Sequence, residues 1–206
     1  MMDSKKKFQL GLSGGIVLLV LIIDQWIKFY IKTHFVLHEQ VRVTDWFYLL
    51  FTENNGMAFG WELFNKLFLT SFRIIAVGFI VYYILKLIRS AAKIQTGYII
   101  CLALVLAGAA GNIFDCIFYG LIFSPSTPWT LAHLVPFGEG YSGLFTGRVV
   151  DMFYFPLVEW DWPSWVPFMG DSHFIFFSPI FNFADASISC GIIAILLFYR
   201  KYLTSK

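Results

Sequence analysis

Residues 8–31 read FQLGLSGGIVLLVLIIDQWIKFYI. The run exceeds the roughly 20 residues that a helix needs to cross a hydrocarbon core of about 30 Å. Lys5, Lys6 and Lys7 precede it, as in a cleavable leader. It has no small-x-small cleavage site, however, and three more apolar runs follow, so a retained helix is expected. Those runs lie at about 67–88, 96–119 and 183–199. Across the 206 residues, 58% are hydrophobic and 14% charged, against about 45–50% and about 25% in soluble domains. The expected fold is an all-α membrane protein. It has four transmembrane helices in one domain spanning 1–206, a small extracytoplasmic β-strand subdomain, and an extended outer loop insert.

Basic residues orient the spans. Lys5, Lys6 and Lys7 precede the first; Lys86, Arg89 and Lys93 separate the second from the third; Arg200, Lys201 and Lys206 follow the fourth. The other two connections hold few basic residues near the spans: Lys32, Arg42, Lys66 and Arg148. The positive-inside rule puts both termini in the cytoplasm and segments 32–66 and 120–182 outside. In the first segment Val41, Val43 and Phe47 to Phe51 suggest short strands. In the second, Trp129, Trp160, Trp162 and Trp165 suit an interfacial aromatic belt.

Other chemistries find little support. The net charge is +2, and no basic cluster with interleaved aromatics suggests nucleic acid. Cys101, Cys116 and Cys190 lie in or beside apolar runs and match neither a disulfide framework nor a metal spacing. His34 and His38 are four apart, but no acid completes HExxH.

The acids carry the functional signal. In this topology Asp24 sits in the outer third of span one, Asp115 near the outer end of span three, and Asp185 at the outer start of span four. Asp151 lies in the apolar stretch Val149-Val150-Asp151-Met152-Phe153. Four carboxylates from separate parts of the chain thus meet at one depth. An ionisable group in a membrane helix costs a few kcal/mol and usually faces a cavity or partner. Two close carboxylates share a proton, giving a base and an acid in one site. Structural roles compete with this reading. Asp24 and Lys28 can pair at i,i+4, Asn112 and Asp115 can tie helices together, Asn182 and Asp185 have N-cap and N3 spacing, and Arg148 can pair with Asp151.

Five segments resemble the lipoprotein signal peptidase (signal peptidase II) family. Asp24-Gln25-Trp26-Ile27-Lys28 is similar to its DxxxK segment, and Asn54-Asn55-Gly56-Met57-Ala58-Phe59 to NxGxAF. Gly108 to Asp115 resembles GGxxGNxxD, Val149-Val150-Asp151-Met152 resembles VVDF, and Phe181 to Ala186 resembles FNxAD. They occur in the family's order and cover nearly the whole chain. The resemblance implies an intramembrane aspartyl endopeptidase of the bacterial cytoplasmic membrane. It would cut prolipoproteins before a diacylglyceryl-modified cysteine, with Asp151 and Asp185 as the dyad and no metal or cofactor. Asp24, Lys28, Asn54, Gly56, Asn112, Asp115, Arg148 and Asn182 would bind substrate or support the site. The expected partners are lipid-modified prolipoproteins and membrane lipids, and the expected state is a monomer.

Two departures stand out. The family usually has Arg after the third-helix aspartate, where this chain has Cys116, and Arg148 is a candidate substitute. The stretches 120–146 and 156–179 are longer than in compact members. Two rival functions remain at this level, a small proton-coupled transporter and a non-enzymatic membrane scaffold. Ion flux would mark the first, and absence of cleavage by purified protein the second.

Overall fold

A backbone crossing hydrocarbon must satisfy its own polar groups, which turns long apolar runs into helices. The computed structural model, which describes residues 3–54, 66–90 and 94–204, has this form. Helix α1 spans Ser4–His34. Strands β1 (Gln40–Arg42) and β2 (Tyr48–Asn54) follow, then α2 (Lys66–Arg89) and α3 (Thr96–Phe114). A π-helical turn, Asp115–Tyr119, and a short α4, Gly120–Ile122, extend α3. Strands β3 (Val149–Tyr154), β4 (Val158–Asp161), β5 (His173–Phe176) and β6 (Ile180–Phe181) lead into α5 (Phe183–Phe198) and α6 (Lys201–Thr204).

Among the described residues, three helices are long and apolar enough to cross a membrane: Ser4–His34, Lys66–Arg89 and Thr96–Ile122. The protein is a membrane protein, and its helices are dressed accordingly. Leu18, Leu19, Ile22 and Trp26 of α1 are exposed, as are Phe72, Ile75, Phe79 and Tyr82 of α2. The buried face of α1 is polar instead, with Gln9, Ser13, Asp24, Lys28 and Lys32 turned inward. The expected 8–31 span therefore continues at both ends. The fourth apolar segment, α5, has 16 residues, about 24 Å at 1.5 Å per residue.

Helix packing fixes the ends of the bundle. The Lys6 ammonium donates to the Ser90 carbonyl at 2.8 Å, and Gln9 donates to Thr96 Oγ1 at 3.2 Å. The Tyr98 ring stacks on Tyr202, 4.5 Å between centroids. The start of α1, the end of α2, the start of α3 and the end of α5 thus share one end, where the basic residues gather. At the other end lies a four-stranded antiparallel sheet in the order β1-β2-β3-β6. Phe51, Tyr119, Phe123, Val150 and Met152 form the core between sheet and helices.

Strands β1 and β2 agree with the expectation at 41–51. The segment after α4 is more structured than expected: it supplies β3 and β6 to the same sheet and forms a separate β4–β5 hairpin. Its first part, 120–146, folds back on the bundle. Tyr141 and Ser142 amides bond the Phe123 and Gly120 carbonyls, and Gly147 donates to the Cys116 carbonyl at 2.9 Å.

Candidate active site

Lys28 sits at the base of the site, with its side chain fully buried. A buried ammonium needs partners for its charge and its donors, and three oxygens surround this one. It meets Asp24 Oδ2 at 2.9 Å, Asp115 Oδ2 at 2.7 Å and Asn112 Oδ1 at 2.8 Å. Asp24 spends its other oxygen on the Ala184 amide at 2.9 Å, which α5 leaves without an intrahelical partner in its first turn. Asp115 Oδ1 accepts from Gln25 at 2.8 Å, and Tyr119 in turn donates to Gln25 at 3.0 Å. The π turn begins at Asp115. Widened turns of this kind are common at functional sites. Gly111 keeps α1 close, since a Cβ there would lie 2.7 Å from Asp24 Oδ2.

Above this base the amides take over. Asn182 caps α5: its side-chain oxygen accepts from the Asp185 amide at 3.0 Å, and its own amide donates to Asp185 Oδ2 at 3.3 Å, completing a capping box. The same side chain reaches strand β3, where its Nδ2 donates to Asp151 Oδ1 at 2.6 Å. Its second hydrogen goes to Asn112 Oδ1 at 3.1 Å, and Asn112 Nδ2 donates to Asp185 Oδ1 at 2.8 Å. Asn54, at the end of β2, also bonds Asp151. One residue, Asn182, therefore bonds both carboxylates, Asp151 through its side chain and Asp185 through its backbone amide. Burial, then the charge of Asp185, pushes the Asp151 carboxyl up to about 7, against the opposing bonds from Asn182 and Asn54. Asp151 is 4% exposed and Asp185 half-buried. Asp185 lines a cavity of about 240 Å³ with Arg73 and Asn112.

Two acids with different surroundings, joined by amides over a salt-bridged base, can activate water and protonate a leaving group. Comparison with known proteins gives this geometry a family. A sequence model of signal peptidase (SPase) II matches residues 16–200. The chain belongs to the signal peptidase II family. A lipoprotein signal peptidase of Porphyromonas gingivalis (strain W83) is 51% identical over 188 residues, covering 91% of this chain and 82% of the relative. One from Amoebophilus asiaticus is 36% identical over 192 residues, covering 89% and 75%. A bacterial membrane enzyme solved by the in meso method at 1.9 Å shares the fold, with a TM-score of 0.63 at 24% identity over 95% of each chain. As a signal peptidase II family member the protein is an enzyme, a peptidase of the aspartic type.

Signal peptidase II membership sharpens the comparison with expectation. The structure brings together Asp24, Lys28, Asn54, Asn112, Asp115, Asp151, Asn182 and Asp185. Gly56 lies outside the described residues. Arg148 departs from the expected pairing with Asp151: its Nη1 pairs with Glu53 Oε2 at 3.0 Å. The reason is a stronger local demand: Glu53 and Lys32 have side chains 2% and 0% exposed and form an ion pair that Ser126 joins at 2.8 Å to Glu53. Burial opposes the charge on Glu53, but Lys32, Ser126 and Arg148 outweigh it and hold the carboxyl below its ordinary value. Sequence reading missed Glu53, Gln25, Tyr119 and Ser126. The one available signal was Gln25, one residue from Asp24.

Proposed function

We propose that the protein removes signal peptides from prolipoproteins by cutting before a diacylglyceryl-modified cysteine, with Asp151 and Asp185 as the catalytic pair. Family membership, with a relative 51% identical named as a lipoprotein signal peptidase, supports the reaction. Asn182 meets both carboxylates, Asp151 through its side-chain amide and Asp185 through its backbone amide, which supports the choice of acids. Asp24 and Asp115 are committed to Lys28 and serve as the base of the site.

The whole chain acts as one membrane domain with four spans, both termini cytoplasmic and the sheet at the outer face of the bacterial inner membrane. Gathering of Lys5, Lys6, Lys86, Arg89, Arg200 and Lys201 toward one end supports that orientation. The working unit is a monomer embedded in lipid. A substrate anchored by its acyl chains arrives in the membrane plane and lays its peptide along the sheet. Asp151, buried, carries the shared proton at rest. Asp185, in the first turn of α5, where the helix dipole favours negative charge, takes a proton from water as it attacks the scissile carbonyl. Asp151 gives its proton to the carbonyl oxygen, and the pair then protonates the leaving amine. Asn54, Asn112 and Asn182 hold the carboxylates and face the developing oxyanion. Gly56 admits a close backbone approach.

The experiment is cleavage by purified protein of a diacylglyceryl-modified peptide beside its unlipidated form. Cleavage of the lipidated peptide alone, unchanged by a chelator, is expected. Equal cleavage of both, or none of either, contradicts the proposal.

A further inference from the structure

Between Lys66 and Lys86, helix α2 carries a single charged side chain, Arg73. A cation on an apolar helix is costly unless it faces a cavity or a partner. Arg73 shares a cavity of about 240 Å³ with Asn112 and Asp185, and Ala76, Val77 and Ile188 make part of its apolar wall. Its Nη1 lies 3.6 Å from Cys116 Sγ, so the short cysteine leaves room for a guanidinium arriving from the neighbouring helix. One turn earlier on α2, buried Thr70 donates to the Phe145 carbonyl at 3.1 Å, which fixes the rotation of this face.

A guanidinium is permanently charged and only donates. In a cavity it shares with Asp185 and apolar side chains, it suits a ligand with acceptor oxygens at one end and hydrocarbon at the other. We infer that Arg73 binds a carbonyl oxygen of the substrate at its lipidated cysteine, setting the scissile bond against Asp185 while an acyl chain enters the apolar cavity. This rests on the proposed reaction. Two carbonyls meet the description, the diacylglyceryl esters and the peptide itself.

Steady-state kinetics on the lipidated peptide test it, and cleavage by the unaltered enzyme tests the underlying reaction separately. Loss of a charge-assisted hydrogen bond predicts that Arg73→Leu raises KM roughly 10- to 100-fold, with kcat changed less. Arg73→Leu combined with Cys116→Arg, which returns a guanidinium to the same place, should bring KM back to within several-fold. A dialkyl ether version of the peptide distinguishes the two carbonyls. If the ester is bound, Arg73→Leu has no further effect on the ether substrate; if the peptide is bound, the KM penalty persists. A KM for Arg73→Leu within twofold of the unaltered enzyme, or a loss that Cys116→Arg leaves unrestored, would overturn the inference.

Discussion

Asp151 is where proton chemistry and folding meet. Its carboxyl is pushed up to about 7 by burial and by Asp185, whereas an unfolded aspartate titrates near about 3.9. Between those values the native chain holds a proton that the unfolded chain releases. The stabilisation is full below about 4 and is lost as pH rises through about 7. Melting of the unaltered protein in detergent should therefore drop more steeply from pH 5 to pH 8 than melting of Asp151→Asn. Parallel slopes would show that the carboxyl is not held in this state. Asp151 was legible as a candidate because an acid stands between Val150 and Met152, in a setting that solvates charge poorly. Arg148, three residues earlier, was misread because sequence proximity says nothing of a competing partner. Glu53 lies 95 residues away in the chain and claims it.

Helices announced themselves through length and hydropathy, and β2 through its residue types, but strand β3 did not. Strand β3 is buried from Val149 to Met152, so it shows no alternation of apolar and polar residues, and a short continuous apolar run does not identify a strand. Its place comes from pairing. Thr52 lies opposite Asp151 and Asn54 opposite Val149 in the β2–β3 register, and this carries Asp151 toward the start of α5. The cluster of Lys32, Glu53, Ser126 and Arg148 ties that pair of strands to α1 and to the loop after α4. Its bonded pairs lie 21 to 95 residues apart, and no local pattern could join them. Glu53→Gln strips the buried Lys32 of its counter-charge. Breaking a buried pair from one side costs about 3–5 kcal/mol, so the variant should melt clearly lower while its remaining folded fraction still cleaves. An unchanged melting temperature would show that the cluster does not hold the strands.

Seen whole, the molecule separates two tasks by depth. The end of the bundle carrying α6 is basic; the opposite end carries the sheet, the hairpin and the acids. The proposed orientation rests on charge alone, through the lysine and arginine bias of multi-pass chains. The inserts were readable only as extra length. Their β4–β5 hairpin depends on ring contacts such as Trp160 on Phe174, 4.4 Å between centroids. Trp165, between those strands, is 80% exposed. In oriented vesicles a membrane-impermeant maleimide should label Trp165→Cys from outside. It should label Lys201→Cys only after permeabilisation. The reverse pattern would invert the topology and place the acids on the cytoplasmic face.

The most direct measurement is the single-turnover rate of Asp151→Asn and of Asp185→Asn on a diacylglyceryl-modified prolipoprotein, each variant first shown to be folded and membrane-inserted. Both should fall to background, since neither amide can give or take the shared proton. Near-normal cleavage by either folded variant would contradict the account.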